Sequence, residues 1–219
     1  MYIIMLGAPG SGKGTIGTEI CDEFNLVHVA TGDIFREEMK NQTELGKKAE
    51  EYISQGKLVP DEVTVGMVKT KLDKLGNVLL DGFPRTIEQA EKLDEILSGL
   101  GKKVDLVINL VTPKEEIIDR MLTRRVCTNQ ECKATYNTKL HPPKVEGICD
   151  KCGSSLKQRD DDSNPEAIKR RLEIYEEKTA PLVEYYQEKG VLKTETVSIS
   201  INRMGKDVAE EVVESFKNK

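Results

Sequence analysis

The chain has 219 residues, enough to bury a core in one compact α/β domain with an insertion or in two small domains. Charged residues make up 32% of it, and no apolar stretch approaches the length of about 18 residues that a bilayer span needs, so we expect a soluble protein without a membrane partner. The net charge of -5 disfavours a general grip on nucleic acid, which we do not expect as a partner. No basic region or cleavage site precedes the first glycines, which predicts a cytoplasmic protein with reduced cysteines.

Short apolar runs alternate with helical patterns through most of the chain, which predicts an α/β fold with buried parallel strands. The expected strands cover residues 2–6, 26–29, 78–80, 104–111 and 197–201. Helices are expected over residues 16–24 and 112–125, from Asn164-Pro165 onward, and at the C-terminus through Val208, Val212, Val213 and Phe216. In the second of these helices, Thr112 and Glu115 are expected to form a capping box.

A glycine-rich loop follows the first expected strand. Residues 7–13, GAPGSGK, have the G-x-x-x-x-G-K pattern of a phosphate-binding loop. Because the loop joins a strand to a helix, its backbone N–H groups and the helix N-terminus converge on one anion, and Lys13 reaches the β- and γ-phosphates. The alternative is an ordinary strand-to-helix turn. The next residues are Gly14 and Thr15, whereas the general pattern has Ser or Thr directly after the lysine.

The extended pattern G-x-P-G-x-G-K-G-T at residues 7–15 resembles the nucleoside monophosphate kinases, above all the adenylate kinases. The segments TGDIFR at residues 31–36 and DGFPR at residues 81–85 fit the same resemblance. It implies a three-layer P-loop α/β fold with a parallel central sheet, an inserted helical acceptor-binding segment and a small metal-bearing lid. It also implies reversible phosphoryl transfer from MgATP to AMP, giving two ADP, by a monomeric enzyme whose partners are ATP, AMP and ADP.

The resemblance assigns residues to two nucleotides. ATP is expected at Gly10, Ser11, Gly12, Lys13, Gly14, Thr15, Arg120, Arg124 and Arg203. AMP is expected at Thr31, Gly32, Arg36, Lys57, Leu58, Val59, Gly82, Arg85, Gln89, Arg159 and Arg171. The residues expected to act on the transferred group are Lys13, Arg85, Arg124, Arg159 and Arg171.

Two of these arginines also stand out without the resemblance. Arg36 and Arg85 lie in motifs that follow separate strands, and a guanidinium fork matches phosphate in a bidentate manner, so together they could clamp a second phosphorylated substrate. For each one alone, the alternative is a solvated surface arginine. A P-loop ATPase or switch needs no such second clamp.

Acidic residues follow the same resemblance. Asp81, at the end of an expected strand, is placed near the Mg2+ shell, with capping of the next loop as the alternative. The run from Asp160 to Asp162 overlaps an Asp pair of the family, and which two residues correspond stays open. The usual Val-Asp-Gly near the last strand is absent, so the contacts of Arg203 with the ATP base also stay open.

Four cysteines cluster within the segment that breaks the α/β alternation. Cys127, Cys132, Cys149 and Cys152 are spaced as x4, x16 and x2, which suits four thiolates around Zn2+, with Fe2+ as an alternative ion. All four positions are filled by protein, so we expect a structural zinc as in the long bacterial adenylate kinases, where the first pair is usually Cys-x2-Cys. The fifth cysteine, Cys21, is expected in the core, and neither His28 nor His141 has an identifiable partner.

The expected division of the chain is a core of residues 1–30, 60–126 and 160–219, an AMP-binding segment of residues 31–59 and a lid of residues 127–159. The competing functions are a related kinase that uses UMP, CMP or GTP and, less favoured, a P-loop ATPase or switch. A zinc-ribbon that binds nucleic acid is disfavoured because Tyr136 is the one aromatic residue of the cysteine segment.

Overall fold

A computed structural model describes residues 1–129, 131–196, 210 and 214 of the chain. The described strands are β1 Tyr2–Gly7, β2 Val27–Ala30, β3 Val78–Asp81, β4 Leu106–Val111, β5 Arg124–Cys127, β6 Thr135–Asn137, β7 Leu156–Lys157 and β8 Leu192–Thr196. The described helices are α1 Lys13–Phe24, α2 Thr31–Lys40, α3 Glu44–Ile53, α4 Asp61–Leu72, α5 Ile87–Gly99, α6 Lys114–Thr123, α7 Pro165–Ile174 and α8 Leu182–Glu188. A 3₁₀ turn covers Asp160–Asp162, and a π-helical turn covers Tyr175–Thr179.

The central sheet is parallel and has the strand order β2-β3-β1-β4-β8. Every residue of β1 is buried, because helices cover both faces of the strand that lies at the middle of the sheet. Ile4 contributes to the cluster that includes Leu93 of α5, and Ile3 contributes to the cluster that includes Ile16 of α1. The parallel order brings the carboxyl ends of β1, β2, β3 and β4 to one edge, where such sheets bind ligands.

The strands predicted at residues 2–6, 26–29, 78–80 and 104–111 are confirmed to within two residues at each end. The fifth prediction, residues 197–201, lies outside the described residues, and β8 ends directly before it. The predicted positions of the C-terminal helix, Val208, Val212, Val213 and Phe216, also lie outside them.

Two predicted helix starts have different outcomes. The start at Asn164 is confirmed, because its side-chain Oδ1 accepts hydrogen bonds from the N–H groups of Glu166 and Ala167 at 3.0 and 3.4 Å. The capping box of Thr112 was wrong: Pro113 is the N-cap residue and supplies no side-chain cap. The Thr112 hydroxyl donates to the Ser11 carbonyl oxygen at 3.5 Å, which ties it to the glycine loop.

Residues 31–59 form a helical hairpin on the sheet. The helices α2 and α3 cross closely at Gly46, where a Cβ atom would lie 2.1 Å from the Glu38 carbonyl oxygen. Phe35, Ala49 and Val59 form the centre of its own small apolar cluster. Val63 and Met67 of α4 pack against this cluster and join the hairpin to the rest of the domain.

The cysteine segment forms a second, antiparallel sheet with the strand order β6-β5-β7. Its apolar cluster is small and contains Cys127, Ala134 and Cys149. A segment with so little apolar burial needs another source of folding free energy, such as a metal ion. In the described parts of the chain, no helix is long and apolar enough to cross a membrane.

Candidate active site

The glycine loop joins β1 to α1 at the carboxyl edge of the sheet. Gly10 and Gly12 have φ angles of 84° and 99°, in the left-handed region that favours glycine. A Cβ atom on Gly10 would lie 2.9 Å from the Met121 Cγ atom of α6, so the loop packs too closely on this helix to carry a side chain there. The loop backbone and the N-terminus of α1 remain open to the cleft beside them, where they favour an anion.

Lys13 lies at the first position of α1, with its side chain folded over the loop. Its Nζ atom donates hydrogen bonds to the carbonyl oxygens of Gly7 at 2.7 Å and Ala8 at 2.9 Å. Burial lowers the pKa of Lys13 to about 8, with Asp81 acting in the opposite direction. An incoming phosphate offers this ammonium a stronger partner than the two neutral carbonyls.

Asp81 ends β3 beside the loop and faces His28 of β2. The His28 Nε2 atom lies 3.6 Å from the Asp81 Oδ2 atom. Burial raises the pKa of Asp81, but His28, Lys13 and Arg85 together outweigh burial and hold this pKa below its usual range. The carboxylate is therefore ionised at neutral pH. The sequence did not identify a partner for His28, and parallel pairing of β2 with β3 brings it to Asp81.

The turn after β3 ties together two predicted phosphate-binding motifs. Thr31 donates its hydroxyl proton to the Gly82 carbonyl oxygen at 2.9 Å, and Arg85 donates from Nε to the same oxygen at 2.8 Å. Gly82 has a φ angle of 78°, and a Cβ atom there would lie 3.0 Å from both Thr31 and Arg85. Only glycine allows both side chains to close on this turn.

The 3₁₀ turn at Asp160–Asp162 places the three aspartate side chains in different environments. Asp162 is fully buried and accepts from Arg124 Nε at 2.7 Å and Nη2 at 2.8 Å. The Asp161 Oδ2 atom lies 2.9 Å from Arg171 Nη1. The Asp160 side chain is 98% exposed. Asp161 and Asp162 are thus the pair that orients arginines in the cleft.

Two further arginines, Arg159 and Arg120, line the cleft and have N–H groups that no described residue accepts from. Burial, together with Arg124 and Arg36, lowers the pKa of Arg159 to about 10, and its guanidinium makes no hydrogen bond to another described residue. Arg120 donates from Nη2 to Glu116 at 2.7 Å, while its buried Nε has no partner among the described residues. Arginine stays charged at neutral pH, so these groups attract an anionic ligand.

One cleft of about 700 Å³ brings the two predicted sets of residues together. Its lining includes every predicted nucleotide-binding residue except Arg203, which lies outside the described residues: Gly10, Ser11, Gly12, Lys13, Gly14, Thr15, Thr31, Gly32, Arg36, Lys57, Leu58, Val59, Gly82, Arg85, Gln89, Arg120, Arg124, Arg159 and Arg171. The glycine loop at one side, with Arg36 of α2 and Arg85 of the turn after β3 at the other, gives the cleft positive groups for the phosphates of two ligands.

The cysteine segment also lines the cleft, which the sequence analysis did not predict. The residues concerned are Thr135, Tyr136, Asn137, Leu140, His141 and Lys151. The sequence feature that could have indicated this is the Thr-Tyr-Asn run at residues 135–137, in which an aromatic residue stands between two polar ones shortly after the first cysteine pair. The backbone of His141 pairs with that of Asn137 through hydrogen bonds of 3.0 and 3.2 Å, and this pairing places His141 at the cleft.

The four clustered cysteines form a candidate metal centre. Their Sγ atoms all lie within 4.8 Å of one another, with 3.4 Å between Cys127 and Cys152 and 3.7 Å between Cys132 and Cys149. Four sulfurs at the Zn–S distance of about 2.3 Å in a tetrahedron lie about 3.8 Å apart. The cluster therefore has about the size that a tetrahedral ion requires, and the x4 spacing of the first pair does not keep the four sulfurs apart. Cys21 lies in the core cluster of the sheet, as expected.

The chain is also similar in sequence to known proteins. The family model described as adenylate kinase matches residues 5–191. The chain is 52% identical to an adenylate kinase of Caldicellulosiruptor saccharolyticus over 197 residues, which cover 89% of this chain and 90% of the relative. It is 49% identical to an adenylate kinase of Carboxydothermus hydrogenoformans, over 100% of this chain and 98% of the relative. It is also 49% identical to an adenylate kinase of Staphylococcus aureus, over 95% of this chain and 97% of the relative.

Proposed function

The chain belongs to the adenylate kinase family and transfers a phosphoryl group from ATP to AMP, giving two ADP, and we propose how its residues divide this task. Donor and acceptor occupy opposite sides of the one cleft, with their phosphates meeting between the glycine loop and the arginines. The observation that supports this division most directly is that one cleft is lined by two separate groups of cationic side chains, Lys13 in one and Arg36 with Arg85 in the other.

On the donor side, we propose that the backbone of residues 10–15 surrounds the ATP phosphates. Lys13 leaves the two loop carbonyls and binds the β- and γ-phosphates, while Arg120 packs against the base and Arg203 contributes from beyond the described residues. The proposal is supported by the left-handed glycines of the loop and by the location of Lys13 at a helix N-terminus.

On the acceptor side, we propose that Arg36 and Arg85 hold the AMP phosphate. The same site includes Thr31, Gly32, Lys57, Leu58, Val59, Gly82, Gln89, Arg159 and Arg171. Arg85 is already held by the Gly82 carbonyl oxygen, so its guanidinium loses little further freedom when it binds a phosphate.

Transfer depends on positioning and on stabilising the charge of the equatorial phosphoryl oxygens. Lys13, Arg85, Arg124, Arg159 and Arg171 supply that positive charge, and Asp161 and Asp162 fix the directions of Arg124 and Arg171. The family uses Mg2+ with ATP, which neutralises part of the phosphate charge when bound. Asp81 fits this ion because it is an ionised carboxylate beside the loop, and we propose that it acts through water.

We further propose that the cysteine centre holds a structural Zn2+. The supporting observation is the tetrahedral fit of the four sulfurs, which leaves no ligand position for substrate. We take residues 127–159 as a lid and residues 31–59 as the AMP-binding segment, with the core made of residues 1–30, 60–126 and 160–219. We propose that the lid and the AMP-binding segment close over the bound nucleotides and exclude water from the phosphoryl transfer. We propose a monomeric, cytoplasmic enzyme that binds neither nucleic acid nor membrane.

The acceptor assignment is tested with Arg85→Ala, measured by steady-state kinetics with ATP and AMP varied separately. We expect AMP-dependent turnover to fall at least a hundredfold, about 3 kcal/mol, while the affinity for MgATP stays nearly unchanged, because different loops bind the two nucleotides. The control is Arg170→Ala, which removes an exposed arginine of α7 that does not line the cleft. Equal losses for both nucleotides in Arg85→Ala would contradict the division of the cleft.

A further inference from the structure

Asp61 lies in the first turn of α4 and uses both carboxylate oxygens on residues of the next helix. Its Oδ1 atom accepts a hydrogen bond from Gln89 Nε2 at 2.6 Å, and its Oδ2 atom accepts from the Thr86 hydroxyl at 2.8 Å. Gln89 is 2% exposed, so water cannot easily replace these contacts. No motif in the sequence points to a role of Asp61 in the site.

The amide of Gln89 is held from both ends by groups of opposite character. Its Oε1 atom accepts from the backbone N–H of Arg85 at 2.7 Å, while its Nε2 atom donates to Asp61. An ionised carboxylate only accepts hydrogen bonds, and a backbone N–H only donates. A flipped amide would set oxygen against the carboxylate and NH2 against the N–H, so one orientation of Gln89 is strongly favoured.

Each end of this amide keeps one unused hydrogen-bonding position. The NH2 group has a second proton and the oxygen has a second lone pair, and Gln89 lines the cleft. Adjacent donor and acceptor groups match the adenine edge, where N1 accepts and the 6-amino group donates. A 6-oxopurine presents the reverse order, because its O6 accepts and its N1–H donates. A freely flipping amide could pair with either edge, whereas a fixed one pairs with only one.

We propose that Asp61 is a positioning residue that sets the base selectivity of the acceptor site by fixing the orientation of the Gln89 amide. This inference rests on the proposed placement of the AMP base at Gln89. Asp61 does not touch the substrate and acts only through the direction in which Gln89 presents its donor and acceptor. Thr86 supports it by holding the second carboxylate oxygen.

The test compares AMP with IMP, which has the same purine shape and the reversed hydrogen-bonding edge. The kcat/KM for each acceptor is measured with saturating MgATP in Asp61→Asn, whose amide can face Gln89 with either a donor or an acceptor. We expect the AMP-to-IMP ratio of kcat/KM to fall about tenfold, because the Arg85 N–H is then the one remaining group that opposes the flipped amide, and the site rejects the reversed edge less strongly. A merely structural role lowers both values equally, and an unchanged ratio would overturn the inference.

The matched control is Glu62→Gln, which removes the same charge from the same turn of α4 at an exposed side chain that does not contact Gln89. The AMP-to-IMP ratio of kcat/KM in Glu62→Gln should equal that of the unmodified protein. If this ratio falls as far as it does in Asp61→Asn, the effect comes from the lost helix charge, and the inference is overturned. If Asp61→Asn does not fold, Asp61→Ser keeps a polar side chain that donates and accepts. The AMP-to-IMP ratio of kcat/KM in that variant then tests the inference.

Gln89→Ala separates the inference from the proposed function beneath it. If this variant leaves the AMP-to-IMP ratio unchanged, the base does not lie at Gln89 and both proposals fail. If Gln89→Ala collapses the ratio but Asp61→Asn preserves it, only the role of Asp61 is overturned. Dissociation constants for AMP and IMP, measured by calorimetry without ATP, should show the same change in selectivity for binding alone.

Discussion

Replacing Asp162 by asparagine should destabilise the protein more than the same change at its neighbour Asp160. Asp162 is fully buried and receives two charge-assisted hydrogen bonds from Arg124 and one of 3.2 Å from Arg171. Asp161 continues to neutralise Arg171 in the variant, at 2.9 Å. Arg124 has no second acidic partner among the described residues, so it bears most of the loss.

The size of the effect follows from this geometry. Removing one partner of a buried ion pair costs about 3–5 kcal/mol. Because Arg124 is 16% exposed and faces the cleft, water recovers part of that loss, which leaves about 2–3 kcal/mol. In a chain of this length, such a loss lowers the melting temperature by about 4–12 °C.

The assay is thermal unfolding, followed by circular dichroism, of Asp162→Asn beside Asp160→Asn. The Asp160 carboxylate is 98% exposed and lies 3.9 Å from Lys157, a surface contact that contributes little. We therefore expect no measurable change in that control. Melting temperatures of the two variants that agree within about 1 °C would refute the assignment of Asp162 as the buried anchor of Arg124.

Three further predictions concern Lys13 and the cysteine centre. Lys13→Ala should lower kcat far more than it weakens MgATP binding, and activity within about threefold of the unmodified protein in a folded variant would exclude its role at the transferred group. Because burial lowers the pKa of Lys13 to about 8, the ammonium loses its proton as the pH rises through about 8, and kcat/KM for MgATP should decline there. A pH profile of kcat/KM that stays flat to pH 10 would contradict this prediction. The pKa is below its ordinary value of 10.5, so the unfolded chain binds more protons between these values and the stability contributed by Lys13 rises with pH there. Cys149→Ser combined with Cys152→Ser should lose one metal ion per chain by elemental analysis and melt at a lower temperature, yet keep measurable transfer activity in the cold; complete inactivity of a folded, metal-free variant would show that the metal does more than hold the lid.

The sequence predicted the features that depend on local spacing. The loop at residues 7–15 was predicted because its glycines and Lys13 lie at fixed offsets between a strand and a helix, and the cysteine cluster because four thiols with that spacing converge on one point. Parallel strand order then brings residues from the ends of β1, β2 and β3 into one cleft.

Contacts that depend on packing between distant elements could not be predicted. Asp61 meets Gln89 across 28 positions through the packing of α4 on α5, and no local pattern indicates that these two residues meet. His28 reaches Asp81 only because β2 and β3 pair in a particular register. Spacing alone also could not tell which of three consecutive aspartates face the arginines, because the 3₁₀ turn decides that.

The central claim is that the cleft passes a phosphoryl group directly from one nucleotide to another with water excluded. The most direct measurement follows the label from ATP carrying 32P in its γ-phosphate, in the presence and absence of AMP. The account predicts that the label appears in ADP, with two ADP formed for each AMP consumed, and that almost no labelled inorganic phosphate forms without AMP. Release of labelled phosphate at a comparable rate without AMP would contradict it and would identify the chain as an ATPase.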